Sequence, residues 1–133
     1  MRSPNWKSEP VLQRALILDD DPNGASALCE LLRQSEWDAQ WCDDGEAMML
    51  LAAGFRPQLL VLDLDMPRIT GLEVARRLRA QPWAQQAVIV AFSGGRGDKM
   101  PSEVMEAGFD HFCPKPYRPE YLELWDAPRS GSG

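Results

Sequence analysis

Three stretches of this sequence are nearly unbroken aliphatic runs: ALIL at 15–18, LLVLDL at 59–64 and VIVAF at 88–92. A strand with one wet face alternates apolar and polar residues. An unbroken run belongs to a strand covered on both faces. Between and around these runs lie segments of helical spacing. Leu28, Leu31 and Leu32 recur over 24–35, and Leu72, Ala75 and Leu78 over 71–80. Shorter helices are expected at 45–54, closed by Gly54, at 102–108, closed by Gly108, and at 119–125. AQWC (39–42) and FDHFC (109–113) complete a set of five strands. Asp21 before Pro22 is a helix start, an N-cap acid followed by proline at the first helical position. Strand and helix thus alternate five times, which predicts an α/β domain, (βα)5, with a doubly wound five-stranded parallel sheet. Such sheets bind ligands outside the carboxyl ends of their strands.

The bulk properties agree. A chain of 133 residues suggests one domain and buries roughly two thirds of its unfolded surface. We expect an arm at 1–13, a domain over 14–126 and a tail at 127–133. The net charge of −6 argues against direct nucleic-acid binding, which needs a positive footprint. Arg76, Arg77 and Arg79 read as a solvated helix face, with Glu73 and Arg77 paired. No apolar run is long enough to span a membrane, and the polar start MRSPNWKSEP is unlike a secretory signal. The three cysteines, an odd count without CxxC, indicate neither a disulfide framework nor a zinc site. They read as buried thiols in a reducing cytosol.

The strand ends carry the chemistry. The first run ends in Asp19 and Asp20, the second reaches Asp63 and then Asp65, the fourth strand ends at Ser93, and the last leads to Lys115. A carboxylate closing an apolar strand is costly unless paired or metal-bound. If strands one and three are neighbours, three carboxylates converge. At about 4 Å and an effective dielectric near 20, each pair repels by roughly 4 kcal/mol. Oxygen ligands with an open position suit Mg²⁺, with Mn²⁺ an alternative. Lys115 adds a point charge for a phosphate oxygen and Ser93 a hydroxyl. A carboxylate nucleophile, a metal, a lysine and a hydroxyl are the equipment for phosphoryl transfer to an aspartate.

These residues resemble a known family. LILDDDP, LLVLDLDMPRITGLEV, VIVAFSG and EAGFDHFCPKP are similar, in order and spacing, to the four motifs of the receiver domain of bacterial two-component response regulators, the CheY-like fold. The resemblance spans about residues 14–125. It implies strand order 2-1-3-4-5 and Asp63 as phosphoacceptor. It implies Asp19 and Asp20 as Mg²⁺ ligands, Asp20 the more direct, with the backbone carbonyl of Asp65 completing the set. Ser93 becomes the switch hydroxyl, Phe112 the switch aromatic, Lys115 the phosphoryl-binding lysine, and Lys115–Pro116 a cis peptide. The implied donor is a histidine kinase or histidine phosphotransfer protein, and the implied setting the bacterial cytoplasm. The expected state is a monomer or weak dimer that phosphorylates and slowly dephosphorylates its own aspartate rather than turning over an external substrate.

Several positions depart from the family pattern. Pro114 precedes the lysine, which an edge strand tolerates. Gly94, Gly95 and Pro101 predict a short fourth helix after a loose GGRGDKM loop, and the last helix looks truncated before Pro128. The side chain of Asp65 is left to solvent or the metal's surroundings. His111 reads as an exposed strand residue, while Trp6 and Trp125 can pack on the domain or on a partner. The chain is short for an attached output domain, so it reads as a free regulator or an excised receiver. Two other functions use the same residues: a pseudo-receiver that works without phosphorylation, and a haloacid-dehalogenase-like phosphatase, suggested by LDLD. The latter motif normally closes a first strand, not a third.

Overall fold

In a computed structural model, residues 12–66, 71–94 and 100–126 are described. Five strands, β1 (Arg14–Leu18), β2 (Asp38–Cys42), β3 (Leu59–Asp63), β4 (Val88–Ser93) and β5 (His111–Pro114), form one parallel sheet in the order β2-β1-β3-β4-β5. The connections carry α1 (Pro22–Gln34), α2 (Gly45–Phe55), α3 (Gly71–Arg79) and α4 (Ser102–Glu106), and α5 (Pro119–Asp126) follows β5. The expected fold class and strand order are both observed.

The unbroken runs have the expected cause. Leu16, Leu18, Leu60, Leu62, Ile89 and Ala91 face one core, with Met48 of α2, Val74 of α3 and Val104 of α4. Ala15, Ile17, Leu59, Val61, Val90 and Phe92 face another, with Leu28 of α1 and Tyr121 and Trp125 of α5. Each central strand therefore packs against helices on both sides. Trp125, only 1% exposed, is core of this domain.

The local signals act as expected at α1, where Asp21 accepts from the Asn23 N–H and Pro22 opens the helix. Other boundaries are corrected. Gly54 does not close α2. The helix runs on through Phe55, and Arg56 takes the left-handed conformation at φ 51°. Arg14 takes up the freed carbonyls, donating to Phe55 O at 2.6 Å and Arg56 O at 3.3 Å, so a tertiary contact ends the helix where a glycine was expected to. β5 begins at His111, because Phe109 and Asp110 lie in the connection between the turn at Ala107–Gly108 and the strand. At α4 the expectations hold: Pro101 precedes a helix of only five residues, and Gly108 follows it at φ 103°.

The arginine cluster divides. Arg77 pairs with Glu73 at 3.3 Å on an exposed face, as expected. Arg79 does not belong to that face. It is mostly buried, donates to the carbonyls of Ala84, Ala87 and Gly108, and pairs with Asp110 at 2.8 Å. His111, expected to be exposed, is half-buried. Cys29, Cys42 and Cys113 are buried free thiols. The proposed arm and tail lie largely outside the described residues, as do Trp6 and Gly95–Lys99 of the loop after β4.

Candidate functional site

Parallel register brings the candidate residues together. Leu18 pairs with Leu62, so Asp19 and Asp63 follow side by side. Asp63 pairs with Phe92, which puts Ser93 one residue beyond it on the next strand. Asp63 is 2% exposed and Asp19 6% exposed, while Asp20 is open to solvent. One oxygen from each of Asp19, Asp20 and Asp63 lies within 4.8 Å of the others. Three hard oxygen donors so placed fit a divalent cation such as Mg²⁺.

The main chain fixes these carboxylates. Asp19 Oδ1 accepts from the Asp21 N–H at 2.9 Å, and Asp63 Oδ1 from the Asp65 N–H at 2.9 Å. The Asp65 side chain, read as left to solvent or the metal's surroundings, is exposed and accepts from the Gly94 N–H at 3.0 Å. It thus ties the loop after β3 to the end of β4. Gly71, the first residue of α3, lies against the same loop: a Cβ there would come within 2.9 Å of the Asp63 carbonyl oxygen.

Lys115 closes the arrangement. Its ammonium lies 3.1 Å from Asp63 Oδ1 and 3.7 Å from Asp19 Oδ2. Pro114 helps to place it. The ladder begins with the Asp110 N–H on Ile89 O, and a bond at every second residue would assign Ser93 O to position 114. Proline has no N–H, and Ser93 O accepts from Lys115 at 2.9 Å instead. The Lys115–Pro116 bond is cis.

Electrostatics follow from this crowding. Burial raises the Asp19 pKa to about 6. The neighbouring Asp63 charge adds to the rise, while the Asp21 N–H and Lys115 oppose it. For Lys115, burial acts to lower the pKa, but the hydrogen bond and charge of Asp63, with Asp19 and Asp65, outweigh it and the net shift is upward. Ser93 is fully buried, and its hydroxyl has no hydrogen-bond partner among the described residues. Phe112 is 8% exposed and packs in the core beneath α4. Beside the carboxylates, a cleft of about 360 Å³ opens between α1 and the segment after β5, lined by Asp21, Leu28, Leu31, Phe92, Lys115 and Tyr117. Sequence reasoning missed Phe92 as part of this wall, because its apolar neighbours in VIVAF mark it only as core.

Residues 15–124 match the response regulator receiver domain family. The chain belongs to that family. Among relatives of this receiver domain is the DNA-binding response regulator MtrA of Mycolicibacterium smegmatis, 32% identical over 115 residues. That alignment covers 86% of this chain and 49% of MtrA. The response regulator MprA of Mycolicibacterium vanbaalenii is 31% identical over 109 residues, covering 82% of this chain and 46% of MprA. The receiver domain therefore spans about half the length of these curated relatives. Among solved structures, a CheY-like receiver domain from Methylobacillus flagellatus superposes with a TM-score of 0.75 at 30% identity, covering 86% of this chain and 95% of that one. The chemotaxis regulator CheY4 of Vibrio cholerae shares the fold, with a TM-score of 0.77 at 21% identity over 86% of this chain and 95% of its own. Membership makes this a phosphoacceptor domain of two-component signalling. Among the described residues, no helix is long and apolar enough to cross a membrane.

Proposed function

We propose that Asp63 is the phosphoacceptor. Its carboxylate attacks phosphorus, the bond from phosphorus to the donor's imidazole nitrogen breaks, and the electron pair stays on that nitrogen. The observation that carries this reading is the pairing of buried Asp63 with Lys115 at 3.1 Å beside the Asp19 and Asp20 carboxylates. Asp19, Asp20, Asp63 and the Asp65 backbone carbonyl would hold Mg²⁺, or Mn²⁺ in its place. The cation supplies charge neutralisation for the transferring phosphoryl oxygens. Lys115 swings its ammonium from the carboxylate to a phosphoryl oxygen, and the unpartnered Ser93 hydroxyl donates to another. Engaging the Ser93 hydroxyl in this way shifts the Phe112 ring.

The donor is a histidine kinase or histidine phosphotransfer protein. The domain works in the bacterial cytoplasm as a monomer or weak dimer, regulates rather than turns over an external substrate, and makes no direct nucleic-acid contact.

Intact-mass measurement after incubation with acetyl phosphate, with and without Mg²⁺, tests the assignment. A gain of one phosphoryl group that needs Mg²⁺ and disappears in Asp63→Asn is expected. A folded protein that gains no mass would overturn the reading and leave a receiver that acts by binding alone.

A further inference from the structure

The Lys115 ammonium has a third neighbour besides the two carboxylates. It stands over the ring of Phe92, 5.9 Å from the centroid. A cation over an aromatic face at this range is attracted by the ring's negative quadrupole. The ring is itself held. Its centroid lies 6.4 Å from that of Tyr121 at 88° and 6.2 Å from that of Trp125 at 86°. Both are edge-to-face geometries that fix a ring's orientation. Tyr121 and Trp125 stack at 5.7 Å and 28°, and Tyr117 packs against both. Tyr121 also donates its hydroxyl to Pro114 O at 2.7 Å, which secures the residue just before the lysine. The same α5 side chains thus restrain Lys115 through its backbone and through the surface under its ammonium.

We infer that Phe92, braced by Tyr121 and Trp125, is a positioning residue for Lys115 that sets where its ammonium waits beside Asp63. The inference rests on the proposed role of Lys115 at the phosphoryl group. The long methylene stem of lysine leaves its head free to wander, and an acid pair alone would draw it toward either carboxylate. The ring face offers one low-energy surface above which the ammonium remains within reach of Asp63. The position of α5 thereby becomes an input to the phosphorylation chemistry: any partner that moves Trp125 or Tyr121 would tilt the ring and alter the rate at which Asp63 is phosphorylated.

Two readouts test this in the intact chain. The first is the NMR shift of the Lys115 ε-methylene protons, which a ring face displaces upfield. The displacement should be present in the wild type and absent in Phe92→Leu. The second is the initial rate of phosphorylation by acetyl phosphate at saturating Mg²⁺. It should fall about three- to fivefold in Phe92→Leu, the scale of one cation–π contact. It should fall stepwise as phenylalanine at 92 is replaced by mono-, tri- and pentafluorophenylalanine, which keep the ring's shape while withdrawing its facial charge. Rates indifferent to fluorination, or a Lys115 signal unchanged in Phe92→Leu, would overturn the inference and reduce Phe92 to a core residue. A wild-type protein that gains no phosphoryl group would instead overturn the proposed function, and the Lys115 signal would still report whether the ring positions the lysine.

Discussion

A single oxygen of Asp110, Oδ2, accepts both the Arg79 guanidinium at 2.8 Å and the Ile89 N–H at 2.9 Å. The contact joins the end of α3, the start of β4 and the turn before β5, at the edge of the sheet opposite the candidate site. Arg79 also donates to three backbone carbonyls across this junction. Replacing it with alanine takes the paired guanidinium from a largely buried carboxylate and removes those donors. Arg79→Ala should cost about 3 kcal/mol, and Arg79→Lys should recover little of it, because an ammonium cannot reproduce the guanidinium fork. Urea denaturation measures this as a lower midpoint at unchanged slope; an unchanged midpoint would refute it.

Gly71 is required by space rather than by its dihedral angles. A Cβ there meets the Asp63 carbonyl oxygen at 2.9 Å and Leu64 Cδ2 at 3.0 Å. Gly71→Ala should destabilise by about 1–3 kcal/mol, the cost of overpacking, and should also slow phosphorylation because the atom that must yield belongs to Asp63. Gly54→Ala, where nothing lies within 4 Å of the added Cβ, serves as the control and should be neutral or stabilising in its helix.

The raised Asp19 pKa means that its ionised form is disfavoured in the folded, metal-free protein. Asp19→Asn keeps an acceptor for the Asp21 N–H and removes that charge. At about pH 7 in chelator, the variant should melt at or above the wild-type temperature. Added Mg²⁺ should raise the wild-type Tm and leave the variant nearly unmoved. A variant that melts well below wild type in chelator would contradict the cost of burying the Asp19 charge beside Asp63.

Burial lowers the His111 pKa, and the Asp110 charge only partly opposes it. A histidine held neutral in the fold contributes stability above its unfolded pKa of about 6.5 and loses it as pH falls through the lower folded value. Wild type should therefore lose more of its urea midpoint than His111→Gln between about pH 7 and pH 5. Parallel losses in the two proteins would place the acid sensitivity elsewhere.

The legible parts of this fold were those in which local chemistry and tertiary packing agree. The three apolar runs became central strands because helices cover both their faces, and Asp21 with Pro22 starts α1 by purely local bonds. Strand ends carrying Asp19, Asp63 and Ser93 meet because parallel register converts three sequence positions into one edge. What stayed hidden depended on distant partners. Arg56 ends α2 because Arg14 takes its carbonyl, and Arg79 leaves its neighbours' solvated face because carbonyls from two later loops reach it. Asp65 finds Gly94 across 29 residues. Phe92 was visible as apolar, but the ammonium above it was not, because that pairing requires the geometry of β5 and α5. The short turn at Pro82–Ala84 was likewise unforeseen.

The alternation along β4 has a last consequence. Ala91 belongs to the core beneath α2, α3 and α4, while Phe92, the next residue, belongs to the core beneath α1 and α5. The strand therefore sets consecutive side chains, one and two residues before Ser93, beneath two separate surfaces. A protein bound to α1 and another bound to α3 would stand on opposite sides of the sheet, so neither would displace the other.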